Sequence, residues 1–159
     1  MFAAPDPMVL VTPTWRDQLS PLRKAALATE ILVGYAQIRW RLRRDQDVRT
    51  VIAHMRAERE ATAEAGRVPQ LEQEGPRSHL AVGLRLAHAV IRTLTPLPAD
   101  SRCLFRSLVL TLLLERRAID SSLIVAVRPQ PFAAHAWVEH AGTPLLPPGE
   151  EGFEQLATL

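Results

Sequence analysis

The chain has 159 residues, of which 47% are apolar and 23% charged, a composition typical of a globular protein with a buried core. Its 19 basic and 17 acidic residues leave a net charge of +2, too small to predict a nucleic-acid partner. A single cysteine, Cys103, excludes an internal disulfide and favours a reducing compartment. Because the sequence has neither a run of about 18 apolar residues nor a basic, signal-like N-terminus, we expect a cytoplasmic protein without membrane contact.

Helices are predicted for the first half of the chain. Residues 1–13 are interrupted by prolines and are expected to form irregular chain or a short edge strand. Ser20 as an N-cap and Pro21 at the first helical position begin a helix whose apolar residues recur at helical spacing. A second helix is expected from residue 47 to about residue 65, and the polar stretch 66–78 is the best linker candidate.

The next two segments predict one amphipathic helix and one buried helix. A helix with a single apolar face is expected from about Ser78 to Thr93, and "LTPLPADSR" (94–102) ends it. The following "CLFRSLVLTLLLERR" (103–117) has the length of a helix but is apolar nearly all round. A helix of this kind is covered on several sides inside a fold.

The last part of the chain has the pattern of strands. "SLIVAVR" (122–128) and "FAAHAWVE" (132–139) are rich in strand-forming residues, and "RPQP" between them signals a turn, so we expect a hairpin. "AGT" (141–143) predicts another turn, and "PLLP" (144–147) predicts a short third strand with prolines at its edges. Helices followed by a small antiparallel sheet predict an α+β fold.

Cys103 is the first candidate for a functional side chain. Asp100 or Ser101 can cap the buried helix, which places the sulfur in its first turn. There the unpaired backbone N–H groups and the positive end of the helix dipole favour a thiolate. The same N–H groups are suited to holding the oxyanion that forms when sulfur attacks a carbonyl.

His135 is the second candidate, because it lies in the middle of a predicted strand. Strand alternation puts it on the same face as Ala133, Trp137 and Glu139. If the sheet packs on the buried helix, one face of the sheet lies near Cys103. A thiolate and an imidazole in contact form a nucleophile and base. Without that contact, the cysteine is inert core and the histidine is structural, and the residue types alone leave both interpretations open.

A family resemblance favours the catalytic interpretation. Three motifs, Cys-Leu-x-Arg-Ser (103–107), Pro-Phe (131–132) and His-Ala-Trp-Val-Glu (135–139), resemble those of the stand-alone B2 leader peptidases of lasso-peptide biosynthesis. That family is similar to transglutaminase-like, papain-type cysteine proteases. The resemblance covers about residues 80–146, so we divide the chain into an N-terminal helical region (1–77) and a transglutaminase-like domain (78–159).

The resemblance implies a cysteine endopeptidase that removes the leader from a ribosomally synthesised precursor peptide. Cys103 is then the nucleophile and His135 the general base, without a metal or cofactor. In this family a separate leader-recognition B1 protein presents the leader, and an ATP-dependent macrolactam cyclase acts afterwards. Family leaders carry threonine before their last residue, so a small pocket for that threonine is expected. The N-terminal helices either dock the partner and leader or complete the catalytic core.

The third catalytic residue departs from the family pattern. Family members have an aspartate about twelve residues after the histidine, where this chain has Pro147. We expect Glu150, or else Glu151, to reach the Nδ1 atom of His135 through a shifted loop. Glu139 is too far, since four residues along a strand span roughly 13 Å. The alternative is a Cys–His dyad whose imidazole is held by a backbone carbonyl.

Two basic features remain beside this assignment. Arg106 lies one turn after Cys103 and would add positive potential near the sulfur, but pairing with a carboxylate is the favoured interpretation. The cluster "RWRLRRD" (39–45) is expected to be the solvated side of a helix rather than a grip for an acidic leader.

Two other functions use the same residues. The chain is alternatively a non-catalytic peptide-binding scaffold that kept the fold without the aspartate. It is also compatible with an acyltransferase of transglutaminase type, which passes the same thioester to an amine instead of water.

Overall fold

In the part of the chain that the structure describes, four helices precede a four-stranded antiparallel sheet, so the predicted α+β fold is confirmed. The computed structural model describes residues 20–45, 47–65, 76–97, 102–149 and 151–159. The helices are α1 (Pro21–Asp45), α2 (Val48–Glu64), α3 (Pro76–Leu94) and α4 (Arg102–Glu115). The strands are β1 (Ser122–Arg128), β2 (Ala133–His140), β3 (Thr143–Pro144) and β4 (Glu154–Thr158). The predictions for residues 1–13 and for most of the linker fall outside the described residues.

The helix α1 begins at its predicted cap, Ser20, and α2 begins after Asp47, where the start of a helix was expected without a named cap. The Ser20 hydroxyl accepts the backbone N–H of Arg23 at 3.4 Å. The Asp47 carboxylate accepts the backbone N–H groups of Arg49 and Thr50 at 3.1 and 3.2 Å. Both caps satisfy donors that have no partner inside the helix.

Replacing Asp47 by alanine should lower the melting temperature at neutral pH by a few degrees, because two N–H groups lose their acceptor. The hydrogen bond from the Arg49 backbone, the largest cause, lowers the pKa of Asp47 below 3.8. The stabilisation is therefore complete above that unfolded-state value and is lost as the pH falls through the lower folded value. Thermal melts of the two proteins should differ at pH 7 and converge under acid conditions. Identical melts at pH 7 would contradict this role.

The helix α4 occupies the centre of the fold, as its apolar sequence predicts. Every residue from Ser107 to Glu115 is buried. It packs against α1, α2 and α3 on one side and against β2 on the other. Buried residues of α1 and α2, among them Ile31, Val51 and Met55, belong to the same core cluster. The N-terminal helices therefore share one core with α4, and the division at residue 77 stays a prediction.

The hairpin β1–β2 forms the middle of the sheet, whose strand order is β3-β2-β1-β4. Leu123 pairs with Val138, and Ala126 pairs with His135. Leu123, Ala136 and Val138 lie in the core cluster with the helices. Strand alternation therefore puts His135 on the face of β2 that points away from that cluster.

The two outer strands differ from the predictions. The turn before β3 has two residues, and Ala141 and Gly142 have φ angles of 48° and 75°, as a tight hairpin turn requires. The third strand is Thr143–Pro144 rather than 144–147, because Leu145 and Leu146 leave the sheet and are buried in the core. The fourth strand was not predicted.

An ion-pair cluster joins the end of α4 to the start of the sheet. Arg59 bonds the buried Glu115 at 3.2 Å and Asp120 at 2.7 Å. Burial lowers the pKa of Arg59, but the hydrogen bonds to Asp120 and Glu115 outweigh this and leave it raised. A ring nitrogen of His140, Nδ1, bonds the Asp120 carbonyl at 2.6 Å. The C-terminal ends of α4 and β2 therefore meet at Asp120, and the two elements run in the same direction.

No described helix is long and apolar enough to cross a membrane.

Candidate active site

Cys103 lies in the first turn of α4, as predicted. Its side chain is half-buried, and the thiol is free. The predicted capping residues Asp100 and Ser101 fall outside the described residues. The position puts the sulfur beside N–H groups that have no helical partner.

A buried hydrogen bond ties α4 to the histidine strand. The Ser107 hydroxyl donates to the carbonyl oxygen of Ala136 at 3.0 Å. The backbone N–H of Leu145 donates to the carbonyl of Val138, so the Val138 carbonyl points away from β1. Carbonyls two residues apart on a strand point to the same side, so the Ala136 carbonyl also points away from β1. The Ala136 carbonyl therefore lies at the edge of β2 opposite β1. Ser107 of α4 lies at the same edge, where it donates to this carbonyl.

Cys103 lies close to the level of His135 along this edge. Cys103 is four residues before Ser107, a rise of about 6 Å, which equals roughly two residues of strand. Since α4 and β2 run in the same direction, the first turn of α4 lies level with Ala134. On this side β3 pairs only with Glu139 and His140, so no described strand covers the beginning of β2.

The imidazole of His135 is held by the main chain. Its Nε2 atom lies 2.9 Å from the carbonyl oxygen of Pro147. A carbonyl only accepts, so Nε2 carries the hydrogen, and Nδ1 of the neutral ring is free to accept a proton. Pro147 stands at the position where the aspartate was expected, and its backbone supplies the acceptor that was considered as the alternative to a carboxylate.

Two aromatic rings surround the imidazole. Trp137 lies nearly parallel to His135, with ring centroids 6.0 Å apart, and Phe153 lies 6.0 Å away on a tilted plane. The Trp137 indole N–H donates to Glu139 at 2.8 Å. Glu139 therefore orients the tryptophan, in line with its exclusion as the third catalytic residue.

The hydrogen bond from Ser107 places Cys103 level with the beginning of β2, the strand that carries His135. Within the described ranges, no hydrogen bond joins the sulfur of Cys103 to the ring of His135, so their pairing stays a prediction. Glu150 falls outside the described residues, so its predicted role is also untested. Glu151 is exposed, and no contact with His135 is present in the described part of the chain.

Arg106 does not have its favoured partner among the described residues. Its guanidinium donates to the Thr95 hydroxyl at 3.0 Å, and no described carboxylate pairs with it. The expectation of a carboxylate partner stays a prediction, since Asp100 falls outside the described residues.

Three participants in this geometry were missed by the sequence analysis. Ser107 had a usable signal, since a polar residue four positions after Cys103 lies on the same face of an otherwise apolar helix. Phe153 and Arg128, whose guanidinium lies 5.0 Å above the Phe153 ring, had none. Their proximity to His135 depends on how the segment after β3 returns to the sheet.

No group of three histidine, cysteine, aspartate or glutamate side chains that could hold a metal ion occurs in the part of the chain that the structure describes.

Comparison with known proteins gives one match. A family model described as the transglutaminase-like superfamily matches residues 31–158, from α1 to the end of β4. No curated protein and no solved structure matches the chain.

Proposed function

Because the chain belongs to the transglutaminase-like superfamily, whose members are typically cysteine proteases or acyltransferases, we propose that it is a cysteine endopeptidase that removes the leader from a lasso-type precursor peptide. The observation that carries the proposal is the shared location of Cys103 and His135. The first lies in the first turn of α4, and the second lies in the first half of β2, with Nε2 held by Pro147 and no described partner on Nδ1. Motifs 103–107 and 135–139 supply the peptide class through their resemblance to leader peptidases.

The proposed reaction uses these two side chains in turn. Nδ1 of His135 takes the proton of Cys103, and the thiolate attacks the scissile carbonyl. Backbone N–H groups in the first turn of α4 stabilise the resulting oxyanion. The C–N bond breaks as His135 returns the proton to the leaving amine, which leaves a thioester on sulfur. Water, deprotonated by the same ring, then hydrolyses the thioester and releases the leader acid.

We expect the peptide substrate to lie at the beginning of β2, ahead of Ala136, where no described strand pairs on the side opposite β1. An extended peptide can pair its backbone with a free strand edge, which supplies affinity without a fixed sequence. The proposed partners are the precursor and a leader-recognition B1 protein that delivers it, with the macrolactam cyclase acting on the released core. This assignment places the protein in the cytoplasm.

Mass spectrometry of the products tests the proposed reaction. Incubation with a precursor peptide and its recognition protein should yield two fragments whose masses add up to the precursor plus one water. An amide cross-link, formed with loss of ammonia, would instead identify the acyltransferase that the superfamily also contains. An unchanged precursor that still binds would identify the non-catalytic scaffold. Either of these results would contradict the peptidase.

A further inference from the structure

The half-buried arginines among the described residues fall into two groups. Three of them form ion pairs with carboxylates. Arg41 pairs with Glu58, Arg117 pairs with Glu30, and Arg59 pairs with both Glu115 and Asp120. The other two are Arg106 and Arg128, and among the described residues neither has a carboxylate partner. A guanidinium that is partly removed from water without a counter-charge carries an uncompensated desolvation cost.

Both of these arginines also have an unsatisfied buried donor, as the carboxylate-paired Arg41 does at one Nη atom. The Nε atoms of Arg106 and Arg128 are buried and have no hydrogen-bond partner among the described residues. The nearest interactions of these guanidinium groups are the Thr95 hydroxyl for Arg106 and the Phe153 ring for Arg128. An unsatisfied buried donor requires an explanation, and a ligand that supplies the acceptor is one.

Arg106 follows Cys103 on α4, and Arg128 shares the Phe153 ring with His135, so each arginine is linked to one of the proposed catalytic residues. Arg106 is three residues after Cys103, on the next turn of α4. Arg128 lies on the same sheet face as His135, because Ala126, two residues before it, pairs with His135. Its guanidinium and the His135 ring both lie against Phe153, at 5.0 and 6.0 Å. The other half-buried arginines that the structure describes have carboxylate partners, whereas these two have none among the described residues.

We propose that Arg106 and Arg128 bind acidic side chains of the peptide substrate on the two sides of the scissile bond. The inference rests on the proposed function, which it deepens by naming the substrate class: a peptide with aspartate or glutamate near the cleavage point. Each carboxylate forms charge-assisted hydrogen bonds with one guanidinium. The beginning of β2, ahead of Ala136, holds the backbone between them.

Peptide binding to the Cys103→Ala protein tests this without requiring cleavage. The probes are two short fluorescein-labelled peptides of equal length, one with glutamates spaced among glycine and alanine, the other with glutamines in their place. Fluorescence anisotropy should show the glutamate peptide binding about tenfold tighter at low salt. Arg106→Gln and Arg128→Gln should each remove most of that difference, and the corresponding lysine variants should keep part of it.

Arg116→Gln is the matched control, since it removes one positive charge from an exposed position just after α4. It should leave the preference unchanged. Equal binding of the two peptides, or an equal loss of preference in Arg116→Gln, would overturn the inference. Cleavage by the wild-type protein, measured in parallel, separates the two proposals. Cleavage without a preference for the glutamate peptide would contradict only the proposed role of the two arginines. A preference for the glutamate peptide without cleavage would contradict only the proposed peptidase activity.

Discussion

Replacing Cys103 by alanine should reduce precursor cleavage by a factor on the order of 10⁶, the loss seen when a covalent nucleophile is removed from a comparable nucleophile–base pair. The reason is chemical, because no other thiol exists in the chain to form the thioester. Cleavage is measured by liquid chromatography of precursor and leader at saturating recognition protein. The same preparation should retain wild-type affinity for the precursor, since the nucleophile contributes bond formation rather than binding.

The fold of the variant is checked by its melting temperature. Cys103 is half-buried in the first turn of α4, outside the fully buried segment that begins at Ser107. Alanine therefore leaves a small change at the helix start and should melt within a few degrees of the wild type. A folded Cys103→Ala protein that cuts the precursor at the normal rate would contradict the assignment of the nucleophile.

The elements around the site were predictable because their sequence patterns are local. An apolar sequence on every side of α4 indicated a helix enclosed by other elements, and all residues from Ser107 to Glu115 are buried. Two segments rich in strand-forming residues, separated by a turn with prolines, indicated the hairpin of β1 and β2. The two strands are antiparallel, so Ser122 pairs with Glu139 at one end and Arg128 pairs with Ala133 at the other. The capping residue Ser20 indicated the start of α1, since its hydroxyl satisfies a backbone N–H group of that helix.

The edge strands β3 and β4 were harder to predict because their sequences lack the alternation of apolar and polar residues that indicates a strand. Four of the five residues of β4 are exposed, so the segment has no apolar face. Its position follows from pairing with β1, extended by Leu159, which exchanges two backbone hydrogen bonds of 2.9 Å with Leu123. The strand β3 stops before Leu145, whose side chain packs close to Gly83 of α3.

Some features of the candidate site were also predictable from local sequence, and others were not. Local sequence predicts that Cys103 lies at the start of a helix and that His135 lies on a strand. It also shows that residue 147 is not an aspartate. It does not predict the acceptor for the imidazole, because any residue type can supply a carbonyl oxygen. The contact of His135 with Pro147 depends on the path of the chain after β3, which tertiary packing of Leu145 and Leu146 determines.

Replacing His135 by alanine should lower the rate of cleavage by about 10²–10⁴-fold, the usual contribution of a positioned general base. The ring is held by Pro147 through Nε2, which leaves Nδ1 as the only nitrogen able to take a proton. Without the ring, the thiol of Cys103 loses the group that accepts its proton, and the leaving amine loses its proton donor. Iodoacetamide should therefore alkylate the native variant more slowly than the wild type at pH 7.

His54→Ala serves as the control, because it removes an exposed histidine of α2 and should change neither cleavage nor alkylation. Added imidazole should restore part of the activity of His135→Ala, since a free base can enter the space that the ring has left. A structural role for His135 predicts a different set of results. The variant would then melt at a lower temperature, show no rescue, and alkylate faster because unfolding exposes the half-buried thiol. That combination would contradict the assignment of the base even if cleavage were lost.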